Sequence, residues 1–452
     1  MRITWIQPED VLRHELVQSA AEGRDVAGIG ARWMAAGGAS GFPMGGAGAD
    51  AAPPRLVTLA RELLLELATL PTPSADAEPD DLAAIEQASG EPVDLPGPPT
   101  DAVLTDRIRG AWLGRAAGCL LGKPVEKVPR RGIREILQST GRWPVSAYFT
   151  AVGLPPDVAA CWPWYKASKP TSLAEVIDGM PEDDDLNYAL LALSVLEQHG
   201  DDFTTDDVAK AWLDLLPGLR VFTAERVAYR SLLDGLEPPA TATVGNPYRE
   251  WIGAQIRTDV YGWTHPGKPG VAAELAWRDA RLSHTRNGIY GARYVAAMSA
   301  AAMVTSDLDA VLDSGESVVP RDSRLRDAIR WARGQGRTAG SFEDAVDGLE
   351  ERYADLHWVH VLNNAALTTL ALVFGQGDFS RSICYVVQGG LDTDSNGATV
   401  GSIAGAITGA DALPDRWTAP LRDRLASSMP GFDGISFGRL AARTMALLPE
   451  RR

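Results

Sequence analysis

An all-α protein is what this sequence predicts: a compact multi-helix bundle from about residue 104 to the end, preceded by a small helical appendage. Four observations carry that reading. Apolar residues recur mostly at helical periods, Ala-rich runs such as Tyr294–Val304 and Asn363–Phe374 favour helix, and no series of alternating strands occurs. The fourth is a pair of glycine stripes. Gly110, Gly114, Gly118 and Gly122 recur every four residues, and so do Gly397, Gly401, Gly405 and Gly409. In a helix such positions share one face. Each glycine costs about 1 kcal/mol against alanine in a helix interior. Close backbone approach between two buried helices is the natural compensation.

Along the chain, residues 1–70 read as the appendage. Val11, Leu12, Leu16 and Val17 recur at helical spacing, and Leu56, Leu59, Leu63, Leu64, Leu67 and Leu70 do so within Arg55–Leu70. A Gly/Ala loop, Ala35–Ala52, separates them. The segment is too short and broken to bury much alone, and an oligomer contact and a loose arm both remain open for it. Residues 71–103 carry no Lys, Arg or His, but eight acids, Asp76, Glu78, Asp80, Asp81, Glu86, Glu91, Asp94 and Asp101 among them, and seven prolines. That composition predicts an acidic, Pro-rich solvated linker, with a short helix around Asp81–Ala88. Residues 104–452 are expected to form the main helical domain.

The 452 residues hold 59 Asp+Glu against 43 Lys+Arg, a formal charge of −16. That balance argues against duplex nucleic acid or an anionic membrane as main partner. No stretch approaches the roughly 20 uncharged apolar residues of a membrane span. Arg107, Arg109, Arg115 and Lys123 interrupt the first glycine stripe, and the second is too short to cross a bilayer. The first ten residues lack the basic-then-apolar order of a signal peptide. Cys119, Cys161 and Cys384 are odd in number and far apart, so no disulfide framework is expected. A cytoplasmic location is the expectation.

Two acidic motifs carry the chemistry. Pro181-Glu182-Asp183-Asp184-Asp185-Leu186-Asn187-Tyr188 precedes an apolar run, Ala189–Leu196. At a helix start its carboxylates converge near exposed N–H groups; a solvated cap is the plainer reading. Gly389-Gly390-Leu391-Asp392-Thr393-Asp394-Ser395-Asn396-Gly397 runs into the second glycine stripe. Its hard oxygen donors suit Mg²⁺, Mn²⁺ or Ca²⁺ rather than zinc. An EF-hand loop begins similarly, but Ile403 stands where that loop needs a bidentate Glu. Nucleotide-sugar transferases also use Asp-x-Asp, usually on an α/β sheet that this pattern lacks. Gathering Asp183, Asp184, Asp392 and Asp394 without cations would be strongly repulsive, and two divalent ions would offset that repulsion.

With Arg107-Ile108-Arg109-Gly110-Ala111, Gly118-Cys119-Leu120-Leu121-Gly122-Lys123-Pro124-Val125-Glu126 and the two acidic motifs in this order, residues 105–445 resemble the ADP-ribosylglycohydrolase family. The resemblance implies an all-α fold and a cleft with two Mg²⁺ (or Mn²⁺). It implies hydrolysis of the bond between the distal ribose of ADP-ribose, or a related ribosyl group, and its acceptor. Carried over by position, Glu182, Asp183, Asp184, Asp392, Asp394 and Ser395 become the metal set. Glu182 stands where the family has a hydroxyl, and Cys119 where many members have Asp; the latter reads as helix packing. Asp184 and Glu126 are the candidates for general acid or base. Ser283-His284-Thr285-Arg286-Asn287-Gly288-Ile289-Tyr290, before an Ala-rich helix, resembles the family's Ser/Thr-His segment. Its free N–H groups suit a phosphate. Ser283, His284, Asn287 and Tyr290, with Asn396, are therefore the substrate-binding candidates; a cap or core role is the plainer reading of His284. His357 and His360 read as core. Trp162-Pro163-Trp164-Tyr165 and Tyr261-Gly262-Trp263 are candidates for adenine stacking. The expected partner is an ADP-ribosylated protein or a small ribosyl compound. The alternatives are a catalytically inactive binding protein on this scaffold and an N-glycosidase of small nucleosides or nucleotides.

Overall fold

The structure is a computed structural model that describes residues 2–41, 46–48 and 50–448. Among the described residues there is helix and loop but no strand, and β pairing is limited to isolated bridges. The two glycine stripes face each other. Gly110 of the helix Asp101–Gly122 lies against Gly405 and Gly409, Gly114 against Gly401, and Gly118 against Gly397. The numbers run in opposite senses, so the second helix, Thr393–Thr408, is antiparallel to the first. A Cβ at Gly114 would overlap the Gly401 carbonyl, and one at Gly401 would overlap the Gly114 carbonyl. Glycine is therefore required by contact, not by flexibility. Gly409 departs from the expected stripe: it lies just past the helix at φ +81° and ends it.

This pairing sets up the site. Because the helices are antiparallel, the end of the first meets the start of the second, and Thr393 Oγ1 donates to the Gly122 carbonyl at 2.9 Å. The helices Asp184–His199, Arg286–Ala302 and Val361–Gly375 pack around the pair with buried apolar faces. The Ala-rich runs fall within two of these helices, although Met303 and Val304 lie past the end of the first. All three cysteines are free. No described helix is long and apolar enough to cross a membrane.

The N-terminal region forms the helices Pro8–Ala21, Ala27–Ala35 and Pro54–Ala68, which share a small core of Leu12, Ile29, Trp33, Leu56 and Leu63. The middle helix was not expected. Of the expected loop Ala35–Ala52, residues 42–45 and 49 lie outside the described residues. The region is not a loose arm. Glu15 and Glu22 are buried against Arg249, and Gln18 donates to Glu250 at 2.8 Å.

The solvated linker also needs correction at its centre. Glu78 is only 2% exposed and pairs with Arg324 at 2.7 Å. Asp80 accepts from the Arg286 backbone N–H at 2.6 Å. Carboxylates that composition assigns to water are matched by cations far along the chain. The short helix is as expected, Leu82–Ala88, capped by Asp81.

Candidate functional site

Where the first glycine helix ends, the second begins and Asp184–His199 begins, a cavity of about 530 Å³ opens. Both acidic motifs reach it: Glu182, Asp183, Asp184, Asp392, Asp394 and Ser395 all line it, together with Glu126. Each is held by local structure. Asp183 is the N-cap of its helix and accepts from the Asp185 N–H at 2.9 Å. Gly390 and Leu391, at φ +81° and +59°, turn the chain into Asp392. Asn364 Oδ1 then accepts from the Asp392 N–H at 3.3 Å and from Asn396 Nδ2 at 2.6 Å. Glu126 follows the short 3₁₀ turn Lys123–Val125 that extends the first glycine helix.

Backbone strain gathers here. Three of the non-glycine residues with positive φ, Trp5, Lys127 and Thr223, line the cavity, and Leu391 immediately precedes Asp392. Such conformations persist where surrounding contacts over-determine them, and they cluster at functional sites.

The electrostatics separate one acid from the rest. Burial pushes Asp183 up, but the Lys123 ammonium paired with it and the Asp185 N–H outweigh this and hold it below the usual range. Lys123 also donates to the Glu182 carbonyl at 3.3 Å. Burial and the neighbouring Asp183 and Asp394 push Asp184 well above the usual carboxylate range. Burial, Asp394 and Glu126 do the same to Asp392. Asp394 is raised by burial and Asp183. Burial and Asp394 push Glu126 up to about 8, against the opposing Lys127 at 3.3 Å. The cleft therefore holds more buried carboxylate than its own cations match. That surplus of oxygen donors fits hard divalent cations.

Sequence reasoning missed several contributors. Cys119 is buried as expected, but its Sγ also lies 3.8 Å from Asp185 Oδ2, and ligand atoms of Cys119, Asp183 and Asp185 lie within 4.8 Å of one another. Arg115 Nε and Nη2 bond the Asp185 carbonyl at 3.0 and 2.7 Å, fixing the helix start. The buried Glu225 also lines the cavity, and its Oε1 accepts from Arg257 at 2.7 Å. The glycine spacing placed Arg115 and Cys119 on a buried helix; Glu225 had no local signal.

The ADP-ribosylglycohydrolase family model matches residues 100–448. The chain belongs to this family. A protein of Archaeoglobus fulgidus described as uncharacterized is 23% identical over 328 residues, 71% of this chain and 93% of that one. A solved structure titled ADP-ribosylglycohydrolase-related protein complex shares 23% identity with a TM-score of 0.47, covering 78% of this chain and 100% of that one. Membership puts the protein among glycohydrolase-type enzymes, and the all-α fold agrees.

Within this glycohydrolase fold, four expected substrate residues lie elsewhere. Ser283, His284, Asn287 and Tyr290 are buried and do not line the cleft. Ser283 Oγ accepts from Arg257 at 2.9 Å, and lies 2.8 Å from His284 Nδ1. Asn287 donates to Glu250 at 3.2 Å and Tyr290 to the Pro79 carbonyl at 2.5 Å. The N–H expected to meet a phosphate meets Asp80 instead. Asn396 is also fully buried; it bonds Asn364 and accepts from Thr368 at 3.2 Å, so it positions the Asp392 turn. Glu182 lines the cleft with both oxygens engaged, by Asn187 at 3.0 Å and Arg220 at 3.2 Å.

Of the aromatic candidates, Tyr165 lines the cavity with Lys127 4.2 Å above its ring, whereas Tyr261 and Trp263 are core. His357 stacks on Trp251, and His360 caps the helix Val361–Gly375.

Proposed function

We propose that this glycohydrolase is a Mg²⁺-dependent enzyme that cleaves the glycosidic bond between ADP-ribose, or a related ribosyl group, and its acceptor. One observation carries the reading: two acidic motifs some 200 residues apart and Glu126 meet in one cavity with unmatched buried charge. Asp183, Asp184, Asp392, Asp394 and Ser395 would hold two divalent ions, Mg²⁺ or Mn²⁺, with Glu182 at the edge. When bound, such ions supply Lewis acidity toward ribose hydroxyls and an acidified water.

The chain's own residues do the rest. Glu126, held by Lys127 beside Asp394, is sited to move a proton at its Oε atoms as the glycosidic bond breaks. Asp184 is the second candidate for that role. Tyr165 and Phe222 offer apolar surface to a base or acceptor. The family match from residue 100 supports a catalytic unit beginning near 104.

The test is to incubate the protein with ADP-ribosyl-arginine and ADP-ribosyl-serine peptides and a panel of ribosides, with Mg²⁺ or EDTA. Release that stops with EDTA and in Asp394→Asn supports the reading. No turnover of any of them, with metal demonstrably bound, sinks it.

A further inference from the structure

One wall of the cleft comes from outside the family match. Thr4, Trp5 and Gly46 line the cavity, whereas the match begins at residue 100. The wall is held from every side. The Trp5 N–H donates to the Gly46 carbonyl at 2.6 Å, and Arg226 Nη1 donates to Thr4 Oγ1 at 2.8 Å. The indole packs edge-on against Tyr248 and Trp251, with centroids 5.5 and 5.9 Å away. Trp5 sits at φ +70°, which a bulky side chain rarely adopts and only fixed surroundings maintain. Gly46 lies flat on this ring: a Cβ there would come within 2.6 Å of Trp5 Cδ2 and 2.8 Å of Thr4 Cβ.

Behind the wall, the helix Pro8–Ala21 is fastened to the body by buried charge. Arg249 reaches Glu15 at 2.7 Å and Glu22 at 2.8 Å, and removing one partner of such a pair strands the other. The helix that follows the wall is therefore tied to the body by buried charge as well as by packing. A cavity of about 530 Å³ lies within the range that encloses a small ligand.

We propose that the Trp5–Gly46 wall is the specificity element of this cleft, selecting compact free ribosyl or ADP-ribosyl compounds over ADP-ribose attached to a polypeptide. The inference rests on the functional reading above. The indole limits the length of substrate that fits beside the carboxylates, and Gly46 sets how far the indole projects.

Two substitutions in the full chain move the wall in opposite directions. Trp5→Ala removes it, and Gly46→Ala pushes the indole toward the cavity. The measurement is the ratio of KM for an ADP-ribosyl-arginine peptide (Kd where it is not cleaved) to Kd for free ADP-ribose, with Mg²⁺ present. Trp5→Ala is expected to shift the ratio at least threefold toward the peptide, and Gly46→Ala at least threefold away from it. Trp5→Phe, a smaller truncation, is expected to fall between wild type and Trp5→Ala, and replaces the latter if that variant fails to fold. Ratios within threefold of wild type in both Gly46→Ala and the folded Trp5 variant overturn the proposal while leaving the functional reading intact. Failure of the unsubstituted protein to bind either ligand overturns both.

Discussion

The helix Asp184–His199 starts behind Glu182 and Asp183, and the helix Arg286–Ala302 starts behind Ser283, His284 and Thr285. Both starts present polar side chains and backbone N–H groups from a buried position. In front of the first lies a cavity, and Asp184 is pushed far above the usual carboxylate range by burial and by Asp183 and Asp394. In front of the second lies the chain itself: Asp80 caps it, and Glu250 is buried among Arg324, Arg286 and Gln18. Burial pushes Glu250 up as well, yet Arg324 and Arg286 hold it far below the usual range. Burial is common to both ends. Charge matching differs, and unmatched buried carboxylate sets the cleft end apart as the candidate site.

Breaking the matched end should cost stability and spare the cleft. Glu250→Ala leaves Arg286 and Arg324 short of a partner in a buried setting, so urea unfolding should show a loss of about 3–5 kcal/mol. Mg²⁺ affinity of the folded variant should be unchanged. The pH dependence follows the same logic. A carboxyl with a depressed folded pKa contributes stability above its unfolded value, near 4.5, and loses it as pH falls toward the folded value. Wild type should therefore lose stability on acidification below about pH 4.5 more steeply than Glu250→Gln, measured by thermal melts.

Substitution at the unmatched end should do the reverse. Asp392→Asn removes one of several repelling charges, so the metal-free protein should melt no lower than wild type. Its divalent affinity, read by calorimetric titration, should fall at least tenfold, or about 1.4 kcal/mol.

A smaller effect is expected one layer out. Asn364→Ala removes the shared acceptor for Asp392 and Asn396 and should weaken divalent binding by about tenfold, since groups that orient metal ligands carry costs of about 10–100-fold. The smallest belongs to Asp80→Ala, which uncaps the helix Arg286–Ala302. That should cost about 1 kcal/mol in urea unfolding and leave Mg²⁺ affinity untouched.

The comparison also explains what could be read from sequence. Glycine every fourth residue in two helices has one inexpensive explanation, and the facing of Gly114 on Gly401 bears it out. The acidic motifs were legible as a pair: the first alone reads as a solvated cap, whereas carboxylates from both gathered in one place need cations to offset their repulsion. The Ser283–Tyr290 segment misled because its partners are remote. Asp80 reaches Arg286 across 206 residues and Glu78 reaches Arg324 across 246, and no local pattern announces such pairs. Eight acids without a base therefore looked solvated. Trp5 and Gly46 are invisible for the same reason: their place in the cleft wall depends on where the appendage docks.

The central claim, that unmatched carboxylates at the junction of the glycine helices form a divalent-cation centre, is tested most directly by equilibrium dialysis against Mg²⁺ with elemental analysis. The account predicts two bound ions in wild type and in folded Glu250→Gln, with loss in Asp394→Asn. No bound Mg²⁺ in wild type, or undiminished binding in Asp394→Asn, would contradict it.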